Sequence, residues 1–561
     1  MIKILKLILF IIIFIYQNSS FSKTTDKNDF NPKYLSSYFS AIISQNTKNS
    51  EDSLKYFNSS KILINKHDKY IKQYVIALVV NGKAQKSINI IKQNRDKNIT
   101  NFFEAKLLLV IDNFKKKKFN QNIELLNELK KYSDYGKYNY IIYEVLKSYN
   151  DLFLTRQLNL NNKNFGKLSL INEAFQYCYL NQPETNSKFI NLISSDEGDY
   201  TRYLFFYLNN LIEKKDFKST RQISSTINSF DNNLLIQQAK KWIEIEKFNK
   251  FKYFFSCENE ADIISEFFFL ISNFSSVDEN FEESNFYLNI SSYLNPKFYF
   301  NLTHLISINL EKKNYKKIRV LLENFNKEDE IYYWYKLKKT AQIIFNEQNS
   351  KKSLSYIEKK FNEYSDPSIK IIYDIANIYK RNKEFEKSIK YYTVVIEKLD
   401  KKLNFYADVL YRRGASYERI GDHSKSDKDL IESLSINPDE PYVLNYLGYS
   451  WLERNHNIKE AINMLDKAYE RKKNDPYIID SVGWGYYLIG DFVNAEIFLR
   501  KAIQLMPNDP IVSDHYGDIL WKLNRKIEAQ YYWQSAINSE ETENEIKILI
   551  SKKLLKGLED N

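Results

Sequence analysis

The sequence predicts an all-α fold: a superhelical solenoid of antiparallel helix pairs, degenerate in its N-terminal half. Three observations point there. Gly414, Gly448, Gly483 and Gly517 stand 34, 35 and 34 residues apart, and a fixed period of this size marks a helical repeat array. From Tyr34 onward apolar residues follow helical stripes broken by short polar stretches, with no convincing strand run. Turn formers are scarce, since 12 Gly and 9 Pro in 561 residues leave little of the turn chemistry that a large β-rich or α/β fold needs. The length exceeds one ordinary core and asks for several domains or an array.

Taken in order, the chain opens with Lys3 and Lys6 ahead of the apolar run LILFIIIFIY (7–16) and polar QNSSFS. This is the pattern of a secretory signal over 1–22, with a small-residue exit at Ser20 and Ser22. The run falls short of the roughly 20 residues a membrane span takes, so an uncleaved N-terminal anchor is only the alternative. No cysteine follows it, so lipid attachment there is not expected. The expected location is the periplasm or cell envelope of a Gram-negative bacterium. Residues 23–33 form a polar leader. Helical hairpins follow over 34–131, broken at Asn81-Gly82 and at the lysine run 115–118. Over 132–264 helical stripes continue, but phase is lost across NNKNFGK and SSDEGD, so irregular hairpins are expected.

From 265 the register is continuous, fair over 265–406 and well formed over 407–540. Units begin near Ser265, Tyr299, Trp334, Ile369, Ala407, Pro441, Pro476 and Pro510, with small residues in their second helices at Ser353, Ser388, Ser426, Ala461, Ala495 and Ala529. Two helices approach closely only where side chains are small. Prolines at Pro476 and Pro510 suit a first helical turn, and Gly490 suits a left-handed helix end. The last stretch, 541–561, carries Ile546, Leu549, Ile550 and Leu554 on one face. It reads as a polar-backed cap over the final apolar face of the array.

The unit from Pro476 supplies Ile479, Val482-Gly483, Tyr486, Ala495, Leu499, Ala502 and Pro507. That from Pro441 supplies Leu444, Leu447-Gly448, Trp451, Ala461, Leu465 and Ala468, and that from Pro510 supplies Gly517, Leu520, Ala529, Trp533 and Ala536. These units closely resemble the tetratricopeptide repeat (TPR) family. The phrases NYLGYSWLE, DPYIIDSVGWGYYLIGD and DHYGDILWKLNRKIEAQYYW look like the C-terminal repeats of a bacterial envelope TPR adaptor that recruits a C-terminal-processing protease to its substrates. Relatives of that kind are lipoproteins, and this chain lacks the lipid-accepting cysteine.

The TPR resemblance implies a concave groove lined from the first helix of each pair. Its residues here are Tyr373 and Asn377, then Asp408, Tyr411 and Glu418, then Tyr442, Asn445 and Tyr449, then Tyr477, Asp480, Trp484 and Tyr487, and finally Asp514, Asp518 and Trp521. None of these is Lys or Arg, so the family's clamp for acidic peptide termini is not expected. The expected ligand is a segment of basic or apolar-aromatic character. Tyr and Trp give contact area at low entropic cost, and Asn can bond a peptide backbone. Residues 407–540 hold 16 Lys and Arg against 21 Asp and Glu, whereas the whole chain carries +11, so charge is segregated along the array.

Other chemistry finds little support. Five scattered histidines, and no HExxH, GxSxG, P-loop or GxGxxG pattern, give no catalytic or cofactor site. Asp514, His515 and Asp518 share a helix, but a metal needs more inward ligands than these. The absence of a long Lys/Arg block speaks against nucleic acid. Cys178 and Cys257 have no metal-site spacing; two buried thiols on separate helices are expected, with a bridge as the alternative. The function expected is a non-catalytic scaffold that binds partner proteins, an envelope protease and its substrates by the narrower resemblance. The alternatives are a component of an envelope-assembly or polysaccharide or protein export complex, and an enzyme hidden within 132–255.

Overall fold

Each helix pair of the computed structural model is built round one short turn. The structure describes residues 32–558 except 48, 68, 96–97, 161–162, 195–200, 229, 231, 402 and 541; the signal segment lies outside them. In the pair Pro476–Leu488 and Phe492–Leu505, Gly490 takes a left-handed φ of +81° and the Asp491 N–H donates back to the Tyr486 carbonyl at 2.9 Å. The Asp491 side chain then accepts from the Asn494 N–H and caps the second helix, satisfying one of its orphan donors. The same sequence of a left-handed residue and an Asp or Asn cap recurs at Lys215-Asp216, Glu279-Asn280, Lys313-Asn314 and Gly421-Asp422. Left-handed residues at Asn181, Lys215, Glu246, Glu279 and Lys313 stand 31 to 34 residues apart. Helix pairing therefore continues through the stretch where the sequence loses phase. The described residues contain α-helices and short 3-10 turns and no strand.

Helix starts differ from expectation by a few residues. The expected starts near Ser265, Trp334 and Ala407 fall at Glu260, Glu330 and Asn404, and the first described helix begins at Pro32, within the expected leader. The chain divides into two compact units, Met1–Lys336 and Leu337–Asn561.

In the first unit the array turns back on itself. The helix Phe281–Leu294 packs against Tyr70–Val80, Ala84–Gln93 and Phe103–Lys115. Lys317 Nζ donates to the Val80 carbonyl at 3.0 Å, and the Tyr293 hydroxyl bonds Gln85 (2.8 Å) and Asp112 (3.2 Å). An ionic and aromatic cluster is buried in this unit, which also holds a concavity of about 930 Å³ lined by Ile42, Lys72, Phe102, Glu104 and Glu283. Arg202 donates to Glu266 through two nitrogens, at 2.8 and 2.5 Å, and to Asn301 at 3.2 Å, with the Phe269 and Phe300 rings 3.9 and 4.6 Å from its guanidinium. The bidentate geometry and the rings around it offset part of the cost of burying this pair, although Arg202 Nη1 is buried with no hydrogen-bond partner among the described residues.

Cys178 and Cys257 form a disulfide, with Cα atoms 5.7 Å apart, which corrects the expectation of two free thiols. Cys178 ends the helix Lys167–Tyr179, whereas Cys257 lies in the turn after Asn249–Phe254. The fold of that turn brings together residues 79 apart in sequence.

The second unit holds the regular pairs: Ile369–Arg381 with Phe385–Lys398, Asn404–Arg419 with His423–Ile436, Pro441–Glu453 with Ile458–Arg471, Pro476–Leu488 with Phe492–Leu505, and Pro510–Lys522 with Lys526–Asn538. The helix Asn544–Lys556 closes it. Ile550 is buried there, and Ile546 and Leu554 pack on the core. Leu549, expected on that face, is instead exposed together with Ile548 and Leu555. Positions 546, 550 and 554 make one narrow stripe of spacing four, and residue 549 falls outside it.

Candidate protein-binding groove

Missing side chains hold the first helices of the second unit in place. A Cβ on Gly483 would lie 2.7 Å from Leu499 Cγ, one on Gly448 2.9 Å from the Ala461 carbonyl oxygen, and one on Gly517 2.5 Å from Trp533 Cδ1. Ala461, Ala495 and Ala529 are fully buried opposite them. The two helices of each pair are thereby drawn together, and the residues expected to line a groove lie on these first helices.

At the N-terminal end of the groove the Tyr373 hydroxyl donates to Asp408 Oδ2 (3.0 Å), which also accepts from Arg412 Nε (2.8 Å). Asn377 Oδ1 accepts from the Tyr392 hydroxyl (2.8 Å) and from Arg412 Nη1 (3.4 Å). Lys338, Lys380, Arg381 and Arg412 line the same concavity, of about 540 Å³. Basic side chains thus stand near the expected groove positions, none of which is itself Lys or Arg; Lys380, Arg381 and Arg412 share helices with them, and Lys338 comes from Glu330–Glu347. Lys338 and Lys370 bind Asp374, at 2.6 and 3.1 Å. Tyr411 packs edge-on against Tyr446, whose hydroxyl donates to Glu418 at 2.9 Å.

The middle of the groove is aromatic. Tyr442 and Tyr477 are 41% and 63% exposed, open enough to meet a ligand. Tyr442 donates to Asp475 at 3.1 Å. Asn445 is half-buried, and its Oδ1 has no hydrogen-bond partner among the described residues. Trp484 Nε1 donates to Glu453 at 2.6 Å, and its ring stacks on His515 (4.0 Å between centroids) and on Tyr487 (4.6 Å). Tyr449 leans on Glu453; burial above all, then that carboxylate and Asp480, raises its phenol well above the ordinary value. Asp480 is buried and holds His515 Nδ1 at 3.0 Å. Burial alone would lower the imidazole, but Asp480, with Asp514 and Asp518 behind it, outweighs burial and raises it.

The C-terminal end is covered by the chain itself. Lys553 of the closing helix places Nζ 2.8 Å from both oxygens of Asp514 and both of Asp518. Trp533 Nε1 also donates to Asp518, at 2.9 Å. Trp521 packs on Trp533 and abuts Gly557. Asp514, Asp518 and Trp521 thus face the cap. Among the described residues no group of three His, Cys, Asp or Glu is placed to hold a metal ion. Glu543, just before the cap, reaches Lys383 at 2.7 Å.

The tetratricopeptide repeat family model matches residues 369–397 and 407–440, two of the pairs that line this groove. The TPR repeat-containing protein PA4667 of Pseudomonas aeruginosa is 31% identical over 162 residues, which is 29% of this chain and 27% of that protein. The chain thus matches about a quarter of that relative's length. Among solved structures, a tetratricopeptide repeat protein from Parabacteroides merdae is 16% identical, covering 45% of this chain and 97% of its own, with a TM-score of 0.38. PilF of Pseudomonas aeruginosa is 17% identical, covering 34% and 83%, with a TM-score of 0.29.

Proposed function

We propose that this tetratricopeptide-repeat chain is a non-catalytic scaffold of the cell envelope, which binds partner proteins in the groove of its second unit and presents substrates to a processing protease. The observation that carries the proposal is the open run of aromatic and amide side chains from Tyr442 to Trp484. It offers rigid aromatic contact area, with Tyr442 and Tyr477 exposed. Two features support export: the apolar N-terminal run after Lys3 and Lys6 and the Cys178–Cys257 disulfide, since disulfides persist in oxidising compartments.

The test is co-purification of tagged full-length protein from envelope fractions, read by mass spectrometry, with Asn445→Ala, Tyr477→Ala and Trp484→Ala variants. Capture of a protease and its substrates, weakened by the variants, is the expected outcome. Undiminished capture by all three variants removes the groove from the account, and capture of export machinery replaces the protease role.

A further inference from the structure

On the footing of that protein-binding role, we infer that the groove takes an extended polypeptide segment of opposed charge. Its acidic stretch lies in the Lys380 concavity, and its basic stretch lies two repeats on, beside Glu453. The two ends of the groove differ in what they leave unneutralised. At the first end Asp374 and Asp408 answer Lys338, Lys370 and Arg412. Lys380 and Arg381 make no hydrogen bond or ion pair among the described residues, and Lys380 has the Tyr411 ring as its nearest aromatic neighbour, at 5.7 Å. Burial, followed by Arg412 and against the pull of Asp408, brings the Lys380 ammonium down to about 8, as expected for a cation short of counter-charge.

At the other end Glu453 meets the Trp484 indole and Asp480 meets His515; neither has a Lys or Arg partner among the described residues. The closing segment already shows both halves of the rule. Its Glu543 sits on Lys383, at the basic side, and its Lys553 sits between Asp514 and Asp518, at the acidic side. Two helix-to-helix steps of about 9 Å place the two ends roughly 18 Å apart along the groove, which about six residues of extended chain would span. Asn377 belongs to the helix of Lys380 and Asn445 to the helix of Glu453.

The experiment uses the full-length chain and two fluorescein-labelled nonapeptides of identical composition. One has its glutamates at one end and its lysines at the other; the second alternates them. Fluorescence anisotropy should show the segregated peptide binding at least about tenfold more tightly, with the difference shrinking as salt rises. Lys380→Glu should remove that preference, as should Arg381→Glu, which changes an exposed side chain and leaves the fold untouched. Equal affinity for the two peptides, or a preference that survives both substitutions, overturns the charge order and leaves peptide binding standing. Failure of both peptides to bind overturns the charge order and the groove as a peptide site together.

Discussion

Gly483 shows how far a single residue sets the width of a helix pair. With Leu499 Cγ 2.7 Å from where a Cβ would sit, any side chain must push the helices apart. Gly483→Leu should cost about 1–3 kcal/mol, measured as a fall in the denaturation midpoint of the second unit. The glycine period was legible in the sequence because packing of this kind allows no substitute. Asp480 and His515 were less legible, since they stand 35 residues apart and only the stacking of successive helices joins them. The folded pKa of His515 is raised, so its contribution to stability is present below the unfolded value near 6.5 and is lost as pH climbs through the folded value. The difference in melting temperature between the native chain and His515→Gln should therefore shrink from about pH 6 to about pH 9. A difference that is constant across that range would contradict the geometry.

At the scale of the element, the cap is where expectation and structure differ most. Its apolar stripe was visible in the sequence, but Lys553 was not, because a lysine on a terminal helix reads as a solvated face. Only the packed array shows two carboxylates waiting for it. Lys553→Met should leave Asp514 and Asp518 partly buried without a cation, at a cost of about 2–4 kcal/mol. Hydrogen exchange should report the cap opening ahead of the preceding pairs, and cap amides protected as in the native chain would refute the pairing. The two-residue turns teach a related lesson. Asp216, Asn280, Asn314, Asp422 and Asp491 each cap a second helix. That Asx signal survives in the middle of the chain, where the small-residue period fades.

For the molecule as a whole, the two units use one motif in opposite ways. The first turns its pairs inward on Arg202, Glu266 and a packing of phenylalanines. The second stacks regular pairs, with basic side chains round a concavity at Lys380 and carboxylates at Asp514 and Asp518 under the cap. The disulfide belongs to the first unit and closes a 79-residue loop, so Cys178→Ser with Cys257→Ser should destabilise that unit by about 2–5 kcal/mol. Calorimetry should show an early transition that chemical reduction of the native chain reproduces, and identical melting of the two forms would remove the bond from the stability of the unit. The sequence by itself determined the helical class and the repeat spacing, because these follow from local periodicity and from contacts one repeat apart. Only the tertiary structure decided that the cysteines meet, that the first unit turns back on itself, that Lys380 and Arg412 line one concavity, and that Lys553 of the cap meets Asp514 and Asp518. Each of those depends on how far successive pairs rotate, a quantity summed over many interfaces and written in no single stretch of sequence.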